Sequence, residues 1–180
     1  LLAPTGGGKT LAGFLPSLIE LQGLVERQAA PREGLHTLYI TPLKALALDI
    51  ARNLTGPIAE MQLDISVALR TGDTSATVRQ HQRAALPNIL LTTPESLELL
   101  LAAPEAAEKF SGLSSIVVDE LHALAPTKRG DQLALCLARL ATLAPRARRI
   151  GLSATAADPD GLRAWIAPDG QAASVDLLTA

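Results

Sequence analysis

Ala3-Pro4-Thr5-Gly6-Gly7-Gly8-Lys9-Thr10 stands two residues into the chain. Three consecutive glycines let backbone N–H groups turn inward around an anion without a side chain in the way, and Lys9 and Thr10 add an ammonium and a hydroxyl. In a phosphate loop Lys9 reaches the β- and γ-phosphates, the Thr10 hydroxyl faces Mg2+, and a helix beginning near Gly8 adds the positive end of its dipole. The strict pattern has glycine where this chain has Ala3. The stretch therefore also reads as a glycine-rich turn before a helix, and the rest of the chain has to decide.

Outward from the loop, four short apolar runs recur at Leu38-Tyr39-Ile40, Ile89-Leu90-Leu91, Ile116-Val117-Val118 and Ile150-Gly151-Leu152. They are continuous rather than alternating, which predicts strands of a parallel sheet covered on both faces. A fifth strand is expected at Ile65 to Leu69. Between the runs, Leu43, Leu46, Ala47, Ile50 and Leu54, and again Leu133, Cys136, Leu137 and Leu140, follow helical spacing. Gly56-Pro57 and Pro31 to Gly34 read as breaks or turns. Alternating segments of this kind predict an open α/β domain over residues 1–180, with right-handed crossovers.

Polar clusters follow the apolar runs directly: Thr41-Pro42, Thr92-Thr93-Pro94, Asp119-Glu120 and Ser153-Ala154-Thr155. The carboxyl ends of parallel strands share one edge, where ligand crevices form, so these scattered clusters are expected on one rim.

Composition narrows the class. The 180 residues are 48% hydrophobic and 19% charged, with 2% aromatic, so the core is built from Leu, Ala, Ile and Val. A formal net charge of −2 means that a nucleic-acid partner must be met by a local surface. A single cysteine, Cys136, excludes an internal disulfide and fits a small apolar role on a buried helix face. No apolar run is long enough for a membrane span, and Leu1-Leu2 lack the features of a signal peptide. A soluble, cytoplasmic domain is expected.

Val117-Val118-Asp119-Glu120-Leu121-His122 supplies the counterpart to the loop. A carboxylate at a strand end opposite a phosphate loop can hold Mg2+ through its water shell, and a second beside it can orient and deprotonate the attacking water. Alone, the pair also reads as an acidic start to a helix. His36, His81 and His122 are too isolated for a zinc site. Lys128-Arg129 and the Arg146, Arg148, Arg149 cluster read as solvated charges, and Trp165 as a packing residue.

Taken in order, Ala3 to Thr10, Thr41-Pro42-Leu43-Lys44-Ala45-Leu46, Thr71-Gly72-Asp73, Thr93-Pro94-Glu95, Asp119-Glu120-Leu121-His122 and Ser153-Ala154-Thr155 resemble the six motifs of the first motor domain of superfamily-two DExH helicases. The resemblance covers essentially the whole chain, and that family accepts Ala at the first loop position. Finer stretches, including "RTGDT" and "DELHALAPTKRGDQLALCLARL", resemble the large helicase-related branch, and within it ligase-associated DExH helicases of DNA repair.

The resemblance implies a three-layer RecA-like P-loop NTPase domain with a mainly parallel sheet and a truncated first strand. Thr5, Gly6, Gly7, Gly8, Lys9 and Thr10 would bind ATP, Thr10 and Asp119 would face Mg2+, and Glu120 would be the base, with Lys9 and Asp119 supporting it. Pro42, Lys44, Thr71, Gly72, Thr93 and Pro94 would track a nucleic-acid strand, which suits helix starts and hydroxyls placed to meet phosphates. Ordinary strand-to-helix caps would look the same. His122, Ser153 and Thr155 would couple the nucleotide to a second RecA-like domain. DNA, single-stranded, is favoured over RNA, with repair proteins such as a ligase as further partners. Because a second domain supplies the arginine finger, the chain is expected to be a fragment that hydrolyses ATP poorly by itself. The rivals are a nucleic-acid-binding module without turnover and a P-loop ATPase acting on another substrate.

Overall fold

The computed structural model describes residues 1–4, 8–26 and 34–179. Helix α1 (Lys9–Glu26) precedes strand β1 (Thr37–Ile40), and the chain then alternates through α2 (Lys44–Glu60), β2 (Val67–Arg70), α3 (Ala76–Ala84), β3 (Ile89–Thr92), α4 (Pro94–Leu101), α5 (Ala106–Phe110), β4 (Ser115–Val118), α6 (Leu121–Leu124), α7 (Lys128–Leu143), β5 (Arg148–Gly151) and α8 (Pro159–Ile166). All five predicted strands form, in the order β2-β3-β1-β4-β5 and all parallel.

The register sets the site. Arg70, Thr92, Ile40, Val118 and Gly151 lie level across the sheet as the last residues of their strands. The polar clusters that follow therefore emerge on one rim, as the sequence predicts. Beyond β5, Leu2 bridges Ser153 on one side and Thr179 on the other, and the Leu1 amino group donates to the Gly151 carbonyl at 2.7 Å. That short piece lies along the β5 side of the sheet, and it places Ala3 beside Ser153.

Alternate strand residues feed two cores, which is why the runs carry no polar alternation. Tyr39, Ile89, Leu91 and Val117 pack against Phe14, Leu18 and Leu21 of α1 and Ala47, Ile50, Leu54 and Ile58 of α2. Leu38, Ile40, Leu90, Ile116 and Val118 face Leu97, Leu121, Leu133, Leu137 and Ile166 on the other side. Cys136 is buried there, and Trp165 packs against the same cluster, as expected for both.

Three expectations need correction. α2 does not break at Gly56-Pro57 but runs to Glu60, because Ile50, Leu54 and Ile58 keep one buried stripe while Gly56 and Pro57 face solvent. The second strand begins at Val67 rather than Ile65. Arg129 and Arg149 are not free surface charges. Arg149 donates to the carbonyls of Ile166 and Leu137, tying α8 to α7. The turn expected at 31–34 falls outside the described residues except for Gly34, whose φ is +111°.

Candidate nucleotide and nucleic-acid site

Thr5, Gly6 and Gly7 lie outside the described residues; the loop is seen at its two ends. Gly8 has φ +72° with open space around a notional Cβ, so glycine is needed there for backbone conformation rather than for room. Lys9, the first residue of α1, is 8% exposed, and its ammonium donates to the carbonyls of Ala3 and Pro4 at 2.6 and 2.8 Å. Those two bonds close the loop end to end. Ala3 in turn donates its N–H to Ser153 at 3.1 Å, which anchors the loop to the β5 side of the rim.

Asp119 follows β4 and is 4% exposed. Its N–H donates to the Ile40 carbonyl at 2.8 Å, and its carboxylate accepts the Glu120 N–H at 2.9 Å. Glu120 has φ +50° and ψ +44°, a left-handed conformation that costs a non-glycine residue roughly 1 kcal/mol. Strain of this type concentrates at functional sites. Here it turns the chain sharply out of β4, so that α6 starts at the next residue. The turn is locked by Leu121 donating to Leu152 and Leu152 donating to Val118, at 2.9 and 2.8 Å.

The turn also assembles a polar relay. His122 Nδ1 lies 2.8 Å from Ser153 Oγ and 3.5 Å from a Glu120 carboxylate oxygen. Ser153 Oγ donates to the Thr155 carbonyl at 2.5 Å. A serine hydroxyl has one hydrogen, and it is used there; Ser153 must therefore accept from His122, which assigns the imidazole proton to Nδ1. His122, Ser153 and the Thr155 carbonyl thus form one hydrogen-bonded run at the exit of β5, with the Glu120 carboxylate lying beside its imidazole end. The three residues expected to couple are in contact.

A residue of this site that sequence reasoning passed over is Tyr39. Its ring is fully buried and its hydroxyl lies beside Asp119 and Thr10. Burial first, and then the Asp119 charge, raise the phenol far above its ordinary value, so it remains an O–H donor.

The other half of the rim gathers the residues expected to meet a strand. Pro94 is the first residue of α4 with Thr93 capping it, whereas Pro42 lies two residues ahead of α2 and Leu43 is the cap. Thr71 and Thr93 are 4% and 3% exposed and Pro94 is buried, so Lys44 and Gly72 are the residues of this group that lie open at the surface. Lys44 is held 2.9 Å from both carboxylate oxygens of Asp73. Arg79 donates to the carbonyls of Gly72 and Thr74 at 2.6 and 2.8 Å. Arg129 donates to Glu95 at 2.5 and 3.2 Å and to the Pro42 carbonyl at 3.0 Å, joining two loops that are distant in sequence. Burial alone would raise the Glu95 carboxyl, but hydrogen bonds led by the one from Arg129 outweigh it and hold the group below its ordinary value.

A five-stranded parallel sheet with a glycine-lysine-threonine sequence, an aspartate-glutamate pair and the hydrogen-bonded Ser153 on one rim defines a RecA-like helicase domain. The chain belongs to the DEAD/DEAH box helicase family, whose model matches residues 1–161. It is 43% identical over 183 aligned residues to the Lhr helicase/uracil glycosylase of Escherichia coli (strain K12), covering 94% of this chain and 12% of that protein. To the ATP-dependent helicase Lhr-Core of Methanothermobacter thermautotrophicus it is 44% identical, over 85% of this chain and 19% of that protein. Among solved structures, Mycobacterium smegmatis helicase Lhr bound to ssDNA and AMP-PNP matches with TM-score 0.79 at 43% identity, over 91% of this chain and 21% of that one. The DUF1998 helicase MrfA bound to DNA and AMPPNP matches with TM-score 0.76 at 30% identity, over 94% and 23%. The chain thus spans 12% to 19% of the length of these two sequence relatives.

Proposed function

We propose that this chain is the ATP-binding half of a nucleic-acid-dependent motor, an ATP-dependent DNA helicase or translocase whose second RecA-like domain lies elsewhere in the same protein. The observation that carries the reading is the hydrogen-bonded run from His122 through Ser153 to the Thr155 carbonyl, with the Glu120 carboxylate 3.5 Å from the same imidazole nitrogen. It links a carboxylate suited to activating water with the backbone that leaves the sheet. A simple binding module has no need of that link.

In this reading the glycine loop cradles phosphates and Lys9 moves from the Ala3 and Pro4 carbonyls to phosphate oxygens. The Thr10 hydroxyl and the Asp119 carboxylate are the hard oxygen donors that Mg2+ takes, and few protein ligands suffice for that ion. The buried Tyr39 hydroxyl beside them adds a polar group that an apolar crevice would not hold. MgATP supplies the transferable phosphoryl group and the neutralisation of its charge. Glu120 accepts the proton of the attacking water, and His122 lies beside the carboxylate on the side of Ser153. An arginine finger from the second domain contributes roughly 10³–10⁵ in rate, so these 180 residues alone hydrolyse ATP slowly.

The nucleic-acid strand crosses the other half of the rim, with its phosphates on the backbone around Pro42, Lys44, Thr71, Gly72, Thr93 and Pro94. Such contacts carry no sequence information, which suits a motor that must step along any sequence. The structure of Lhr bound to ssDNA supports single-stranded DNA as the track, and that of MrfA bound to DNA supports DNA in general. A role in cytoplasmic DNA repair alongside a ligase completes the proposal. No helix among the described residues is long and apolar enough to cross a membrane.

The test compares ATP hydrolysis by the full-length protein with single-stranded DNA, duplex DNA and RNA at one salt concentration, because such affinities fall steeply with salt. Single-stranded DNA is expected to stimulate most. Hydrolysis indifferent to every nucleic acid would reject the motor reading in favour of an ATPase with another substrate.

A further inference from the structure

Tyr39 is the only tyrosine in the chain. Its ring stacks on Phe14 of α1, with centroids 4.6 Å apart and planes 12° from parallel. In the sheet it pairs with Val117. Residues two apart on a strand share a face, so Asp119 rises on the Tyr39 side just beyond the end of β4. The phenol oxygen lies near the Asp119 carboxylate and the Thr10 hydroxyl, yet it completes no hydrogen bond of ordinary geometry. Buried hydroxyls are almost always partnered, and a partnerless one is destabilising. Neither packing nor the sheet accounts for this oxygen, since phenylalanine would make the same ring stack.

We infer that Tyr39 is a positioning residue for the metal end of the nucleotide site, its hydroxyl tying Thr10 to Asp119 when Mg2+ is bound. This rests on the nucleotide reading above. A threonine hydroxyl that faces a cation with its lone pair must direct its hydrogen elsewhere, and the phenol oxygen is the acceptor at hand. The phenol hydrogen then remains for the Asp119 carboxylate, which can only accept. Both metal-facing oxygens are held by one rigid ring, which α1 clamps through Phe14. With the cation bound both hydrogen bonds of the phenol are made, so its contribution is expected in the metal-dependent part of nucleotide binding.

Tyr39→Phe removes one oxygen and retains the stack. In the full-length protein, binding of a fluorescent ATP analogue is followed in EDTA and then against rising MgCl2, with Asp119→Asn in parallel. For Tyr39→Phe the affinity in EDTA is expected within about twofold of wild type, and the Mg2+ concentration for half the metal-dependent gain about tenfold higher, as for the loss of one charge-assisted hydrogen bond. Without Mg2+ the variant is expected to melt no lower than wild type. A Mg2+ requirement that moves for Asp119→Asn and not for Tyr39→Phe overturns the inference and leaves the site standing. If neither moves, the metal site itself is wrong. Equal weakening with and without Mg2+ would make the hydroxyl a structural group and overturn the inference.

Discussion

At the nucleotide end of the rim the working side chains are buried and the backbone is strained, with Lys9 8% exposed, Asp119 4% exposed and Glu120 at φ +50°. At the end proposed to track a strand, the side chains of Lys44, Asp73, Glu95 and Arg129 are each at least 41% exposed and are tied in surface ion pairs. Exposed pairs of this kind contribute about 0–1 kcal/mol each. The contrast matches the two tasks. Charge developing on a phosphate is stabilised by fixed groups in a low dielectric, whereas a track gripped and released on every cycle is served by contacts that exchange cheaply.

The sharpest break in this comparison would come from Lys9. Lys9→Ala removes the ammonium at the loop and leaves the Ala3 and Pro4 carbonyls without their donor. ATP turnover by the full-length protein is expected to fall by roughly 10³-fold, as for loss of a group that stabilises transition-state charge. Steady-state hydrolysis with saturating single-stranded DNA measures it, and an unaffected enzyme would remove the phosphate-loop assignment.

A second test lies under the end proposed to track a strand. Gly130, beside Arg129, has no room for a side chain: a Cβ there would lie 2.3 Å from the Leu124 carbonyl oxygen and 2.8 Å from that of Ala125. Gly130→Ala must push the start of α7 away from α6. A loss of about 2 kcal/mol is expected, or roughly 4–8 °C in the melting of this domain. Unchanged melting would mean that this junction is loose, and that Arg129 is not rigidly aimed at Glu95.

Smaller again is the effect of Arg129 itself. Arg129→Ala should cost stability by no more than about 1 kcal/mol, because its pair with Glu95 is half-exposed. Single-stranded DNA affinity should fall several-fold as the Pro42 and Glu95 loops part, while nucleotide affinity stays within twofold. The pair also has a pH signature. Glu95 is held below its ordinary value near 4.5 in the folded chain. Its contribution is therefore present above that value and lost as pH falls through the lowered one. Melting curves of wild type and Arg129→Ala should converge on acidification below pH 4.5; a gap that persists unchanged would assign the effect to the Pro42 carbonyl instead.

What the sequence made legible follows from range. The strands were readable because Leu38 to Ile40 and Ile116 to Val118 are buried on both faces and hence continuously apolar. Lys9, Asp119 and Glu120 stood out as candidates because phosphate and metal chemistry requires particular neighbours within a few residues. Arg129 was not, since its partners are 34 and 87 residues away and depend on where α7 lands. Tyr39 hid inside a strand, where an aromatic residue ordinarily means packing. Gly56-Pro57 misled because local turn chemistry yielded to the buried stripe of Ile50, Leu54 and Ile58. The left-handed turn at Glu120 has no signal in residue type at all.

The central claim is that Glu120 activates water in a site that binds ATP without it. Glu120→Gln in the full-length protein, assayed for nucleotide binding and for single-turnover hydrolysis with single-stranded DNA, tests that claim most directly. Binding is predicted to stay within about twofold of wild type and hydrolysis to fall by 10²–10⁴-fold, the range expected for a lost general base. Near-normal turnover would contradict the account.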